Sequence, residues 1–153
     1  MLKFNKKVEY ALIAMLEMAQ QANANELITA KSVSSRYHIP QEIMGKVLQT
    51  LVKGGLLLSV QGVKGGYTLA THPDRVSIWQ VVQAIEGPVT LVTCIGPDKH
   101  YCQQYEYCNI RTPLTIIQDK LEEYFSDMKL SDVQQIYRNQ EHANVSDSVG
   151  MSC

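Results

Sequence analysis

Residues 54–70 read GGLLLSVQGVKGGYTLA, and no other stretch limits the fold as tightly. The glycine pair stops the helix that precedes it. LLLSVQ and YTLA are short β-prone runs around GVKGG, a turn tip that carries Lys64, so the stretch forms a β-hairpin. Just upstream, QEIMGKVLQTLVKGG places Ile43, Val47, Leu48 and Leu51 on one helical face, with Glu42, Lys46, Gln49 and Lys53 on others. Ile39-Pro40 separates this helix from the one before it, because the residue preceding proline avoids helical dihedrals. Thr29 is placed to cap that earlier short helix, AKSVSSRYH. Val8, Leu12, Met15 and Ala19, widened by Ala11 and Leu16, predict a first helix from about Asn5 to Gln21. Short helix, turn, helix and hairpin is the order that inserts one helix into a DNA major groove and lays a wing beside it.

Beyond the hairpin, SIWQVVQAIEG predicts a helix with Ile78, Val81, Val82 and Ile85 inward and Gly87-Pro88 at its end; Trp79 is expected to pack rather than touch a cofactor. TPLTIIQDKLEEYFSDM carries Leu114, Ile117, Leu121, Tyr124 and Phe125 at helical spacing, with Pro113 in the first turn. That helix lies outside the compact winged unit. Its apolar stripe is expected to lack a partner in its own chain and to bury against a second subunit, as twofold dimers on paired DNA half-sites do. LSDVQQIYRN predicts a short terminal helix, and from Gln140 the chain reads as a disordered tail. The expected class is mainly α with a small β-wing. It divides into a winged helix-turn-helix at 1–88, a cysteine-rich loop at 89–111, a dimerisation helix and terminal helix at 112–138, and a polar tail at 139–153.

With 45% hydrophobic residues, 153 residues can bury one core without disulfides. No apolar run approaches the roughly 18 residues of a membrane span. No secretory signal precedes the first helix, so the expectation is a cytoplasmic protein with no membrane partner. The net charge of −1 conceals a division. Up to Lys64, eight Lys and Arg stand against four Asp and Glu, or +4; the remainder holds six against eleven, or −5. The basic part suits a polyanion. An enzyme is disfavoured, since there is no phosphate-binding glycine motif ending in Lys-Ser or Lys-Thr, no HExxH, and no Cys with His in a nucleophilic setting.

The stretch CIGPDKHYCQQYEYC, 94–108, gathers three of the four cysteines into a polar loop. Three is an odd number for a disulfide framework, which leaves a metal or cluster site or a redox switch. Cys94, His100, Cys102 and Cys108 could form a Cys3His zinc site, although intervals of seven and five residues are unlike the close pairs of zinc folds. Two of the thiols could instead oxidise to a disulfide. Cys153, on the polar tail, reads as a bystander.

The YAL stretch of the first helix, the GGLLLSVQGVKGGYTLA wing, the VVQAIEGP helix end, the three clustered cysteines and the LSDV ending resemble the Rrf family of bacterial winged-helix transcription regulators, of the IscR, NsrR and RirA kind. The likeness spans residues 1 to about 138. It implies a homodimeric repressor or activator that binds a palindromic DNA operator under the control of an iron–sulfur cluster, two-iron or four-iron, on Cys94, Cys102 and Cys108. Both cluster types take four ligands. Where some members have a histidine three positions after the third cysteine, this chain has Arg111, which cannot serve. Other members take a carboxylate from the partner subunit's first helix, and Glu9 stands at that position; its plain alternative is an ion pair with Lys6. His100 is a further candidate.

For the DNA surface the expected contacts are Gln41, Glu42, Lys46 and Gln49 on the recognition helix, and Ser32, Ser35 and Arg36 on the helix before it. Gln61 and Lys64 are expected on the wing. Gln, Glu and Lys can read adenine, cytosine and guanine edges respectively. Gly45 stands where a relative carries an acidic residue, which points to a different operator preference.

Overall fold

The computed structural model describes residues 3–22, 26–97 and 102–149. Among them run α1 (Lys6–Gln21), α2 (Ala30–Tyr37), α3 (Gln41–Lys53), β1 (Leu57–Val60), β2 (Gly66–Leu69), α4 (Ile78–Glu86), α5 (Arg111–Asp127) and α6 (Leu130–Val149). Short 3-10 turns lie at Pro73–Arg75 and Thr93–Ile95. Helices with one small antiparallel hairpin make this the mainly α, winged architecture expected from the sequence.

Caps set the helix starts. The Asn5 side chain accepts from the Lys7 amide at 2.8 Å and opens α1. Thr29 and Ser32 cap α2 reciprocally, each side chain accepting the other's backbone N–H at 3.0 and 3.1 Å. Helix α2 ends at His38, whose φ of 54° is left-handed; the chain then buries Ile39 and turns through Pro40 into α3. The buried face of α3 is Met44, Val47, Leu48 and Leu51. Ile43, expected inside, is 36% exposed. Met44 stands at i, i+3, i+4 and i+7 with the other three, and Ile43 is one position, about 100°, away from that stripe. These side chains meet Met15 and Met18 of α1, Val33, Leu57 and Leu130 in the main core.

The wing pairs Leu57 with Leu69 and Val60 with Gly66. Tyr67 of β2 also exchanges two backbone hydrogen bonds with Ile28, at 2.7 and 3.0 Å, which ties the wing to the lead-in of α2. Only glycine fits at 66, because a Cβ there would stand 2.8 Å from the Ile28 carbonyl oxygen. Gly45 in α3 is the opposite case, since a Cβ there would meet nothing within 4 Å. Gly45→Ala is therefore expected to raise the unfolding free energy by about 0.5–1 kcal/mol through helix propensity, read from the urea midpoint.

Two expectations for the C-terminal part are corrected. First, the α5 stripe is not without a partner in its own chain. Phe125 stacks on Trp79 at 6.4 Å between ring centroids and meets Phe4 at 5.7 Å. Backbone bonds from Ile78 N to Met128 O (3.0 Å) and from Leu130 N to Val76 O (2.8 Å) fasten the α5–α6 junction to the start of α4. Ile116, Ile117 and Tyr124 remain about half exposed or more. Second, the chain does not become irregular at Gln140, because α6 continues to Val149. Its run LSDVQQIYRNQEHANVSDSV contains no glycine or proline to stop it, and Gln135–Asn139 and Tyr137–Glu141 bonds at 3.1 and 2.7 Å brace successive turns.

Candidate DNA interface and cysteine site

Helix α3 leaves Gln41, Glu42, Lys46 and Gln49 exposed. Gln41, Gly45 and Gln49 repeat at four-residue intervals on one ridge, with Glu42 and Lys46 on the next. Lys46 Nζ lies 2.8 Å from Glu42 Oε1, and that hydrogen bond holds the Glu42 carboxyl below its usual range. Both partners are exposed, so the pair is weak and open to exchange for a nucleic-acid group. On the wing, Gln61 and Lys64 are exposed, and Val63 between them stands fully in solvent. The recognition helix and the wing therefore both offer their expected residues at the surface.

Helix α2 is less free. Ser35 is exposed, but the Ser32 hydroxyl is engaged in the cap with Thr29. Arg36 donates through Nη1 to Glu17 Oε1 at 2.6 Å while staying 61% exposed. Glu17 itself is 5% exposed. Its carboxylate also accepts from the Tyr37 hydroxyl at 2.6 Å and from Gln21 Nε2 at 2.8 Å. Burial, with the Glu17 bond second, pushes the Tyr37 phenol up to about 12. Sequence reasoning missed this carboxylate, which anchors α2 to α1. The available signal was a charged residue inside the run Ala14, Met15, Met18, Ala19, all of which are buried.

The cysteine loop leaves the winged unit at Gly87. Cys94 lies on the Thr93–Ile95 turn; Cys102 and Cys108 flank a second turn closed by Tyr105 N to Cys102 O (3.2 Å) and Tyr107 N to Gln104 O (3.0 Å). All three are free thiols of intermediate exposure. They line one cleft of about 870 Å³, with Val92, Ile110 and Leu114 supplying apolar wall. Three soft sulfur donors on one partly desolvated cleft fit a thiophilic metal group. Among the described residues no three His, Cys, Asp or Glu side chains form a group that could hold a single metal ion.

Arg111, three positions after Cys108, has a structural task. Its Nη1 donates to the Tyr105 carbonyl at 2.8 Å and its guanidinium sits 4.5 Å over the Tyr105 ring, fastening the loop to the start of α5. Glu9, half-buried in the first turn of α1, pairs with Lys6 at 2.5 Å and does not line the cleft of its own chain. His100 and Cys153 lie outside the described residues.

Residues 4–136 match the model of the Rrf2 family, described as iron-dependent transcriptional regulators. The chain belongs to the Rrf2 family. Among its Rrf2-type relatives, the transcriptional regulator NsrR of Bacillus licheniformis is 26% identical over 92% of this chain and 96% of its own. IscR of Pectobacterium atrosepticum is likewise 26% identical, over 95% of this chain and 85% of its own. The solved structure of CymR, the global cysteine regulator of B. subtilis, superposes with a TM-score of 0.72 at 24% identity, covering 89% of this chain and 98% of that one. An Rrf2 member with this fold is a DNA-binding transcriptional regulator and not an enzyme. Among the described residues no helix is long and apolar enough to cross a membrane.

Proposed function

We propose that this Rrf2 protein acts as a homodimer on a palindromic operator, and that an iron–sulfur cluster held by Cys94, Cys102 and Cys108 governs its DNA binding. The observation that carries the reading is the convergence of three free, half-buried thiols on one cleft beside the exit from the winged unit. Thiolates are the preferred ligands of iron clusters, and such a group supplies redox and nitric-oxide reactivity. Glu9 from the second subunit's α1 is taken as the fourth ligand because it stands where other family members carry an acidic ligand, with His100 the alternative. The exposed apolar residues of α5, Ile116, Ile117 and Tyr124, form the dimer seam. Gln41, Glu42, Lys46 and Gln49 meet base edges, while Ser35, Arg36, Gln61 and Lys64 contact the backbone. Ser32 reaches a phosphate only by sharing its capping hydroxyl.

Anaerobically purified protein should be brown, with visible absorbance that chelation and oxidation remove. A colourless protein containing zinc, or one whose DNA binding follows disulfide formation without metal, would replace the cluster with a zinc staple or a thiol switch. At the wing, Lys64→Ala should weaken binding to all DNA sequences alike and reduce the slope of log affinity against log salt by about one. Fluorescence anisotropy over a salt series measures both. An altered base preference with an unchanged slope would remove Lys64 from the phosphate contacts.

A further inference from the structure

Gln118 is the only fully buried side chain of α5, at 4% exposure, and it is polar. Its Oε1 accepts from the Leu91 amide at 2.8 Å, and its Nε2 donates to the Val89 carbonyl at 2.9 Å and to Glu122 Oε1 at 2.8 Å. A carboxamide offers one acceptor beside a donor group, so it pairs with residues 89 and 91 as the backbone of a neighbouring strand would. Those two residues join the end of α4, at Glu86, to Cys94, three positions beyond Leu91. Two turns earlier on α5, Arg111 grips Tyr105 between Cys102 and Cys108, and Leu114 on the same face lines the thiol cleft. One helical face thus fastens both ends of the cysteine loop.

We propose that Gln118 is a positioning residue of the cysteine site, setting where Cys94 stands against Cys102 and Cys108 and making residues 89–91 a stiff link from the loop to α4. The proposal rests on the reading of these cysteines as the sensing group, and it extends that reading to the route by which the loop reaches the DNA-binding unit. With the pairing intact, a displacement of Cys94 is passed along 89–91 towards α4. Without it, the segment absorbs the movement.

The test uses the full-length, reduced, metal-free protein, so that it stands apart from whether a cluster binds. Iodoacetamide labelling is followed cysteine by cysteine by mass spectrometry in wild type and in Gln118→Met, which fills similar volume without the paired amide. Cys94 should react about tenfold faster in the variant, with Cys108 within about twofold of wild type. An unchanged Cys94 rate, or an equal rise at all the cysteines, would overturn the proposal, because a merely structural loss loosens every thiol together. Hydrogen exchange on wild type needs no variant to fold. The Leu91 amide should be protected by about a hundredfold relative to the exposed wing-tip amide of Val63, and an unprotected Leu91 would overturn the proposal equally. Iron and sulfide analysis of protein purified without chelation separately decides the cluster, so failure of either reading is visible without the other.

Discussion

Replacing any one of Cys94, Cys102 or Cys108 by alanine should abolish cluster binding, leaving iron and acid-labile sulfide at background and no visible absorbance. Cys153→Ala should keep all three signals, since Cys153 is remote in sequence from the loop that gathers the others. A cluster loses more than a proportionate share of its affinity with one of three thiolates, because two sulfurs and a carboxylate do not satisfy the iron coordination that a closed site needs. The variants should remain folded. None of the three cysteines belongs to either buried core cluster, and each is only half-buried, so unfolding free energies should change by less than about 1 kcal/mol. Full visible absorbance in any of the three loop variants would contradict the site.

The second large effect is expected at Glu9. In its own chain the carboxylate is paired with Lys6, which is 67% exposed, so that pair is easily exchanged and contributes little to stability. As the ligand supplied across the dimer, Glu9 would join one subunit's cysteine loop to the other subunit's winged unit. Loss of that bond would then free the two parts to change their relative angle, a two-state switch. A carboxylate is a harder donor than a thiolate and the weakest of the four ligands. Glu9→Ala should accordingly leave a three-thiolate site that loses iron faster by on the order of tenfold or more, with a shifted visible spectrum. Its DNA affinity should respond less to cluster removal than wild type does. An unchanged spectrum together with an unchanged iron-loss rate would eliminate Glu9 as the ligand.

The winged unit was legible because its signals are local. Thr29 caps α2, Pro40 separates α2 from α3, and the glycines of GVKGG mark the turn between two strands that do pair as a hairpin. What escaped depends on partners distant in sequence. Glu17 reads as a solvated charge until Arg36 and Tyr37, some twenty residues away, are brought onto it. Gln118 reads as a surface residue of an amphipathic helix until the chain 27 to 29 residues upstream docks against its amide. Ile43 and Met44 are apolar neighbours, and the i, i+3, i+4, i+7 spacing of Met44 with Val47, Leu48 and Leu51 is what puts Met44 inside. Polar composition from Gln140 onward reads as disorder, whereas i,i+4 side-chain bonds support a polar helix well enough. The three cysteines were visible at once, but their sharing of one cleft is a property of the folded loop.

In the proposed function a metal group on these three thiols sets operator affinity. The measurement that bears on it most directly is anaerobic purification with iron and sulfide analysis, paired with DNA affinity of the same preparation before and after the cluster is removed. Stoichiometric iron and inorganic sulfide are expected, with an affinity difference of about tenfold or more between the two forms, the scale of ordinary coupling between distinct sites. Protein without inorganic sulfide, or a loaded and a stripped form that bind DNA equally well, would contradict the proposed function.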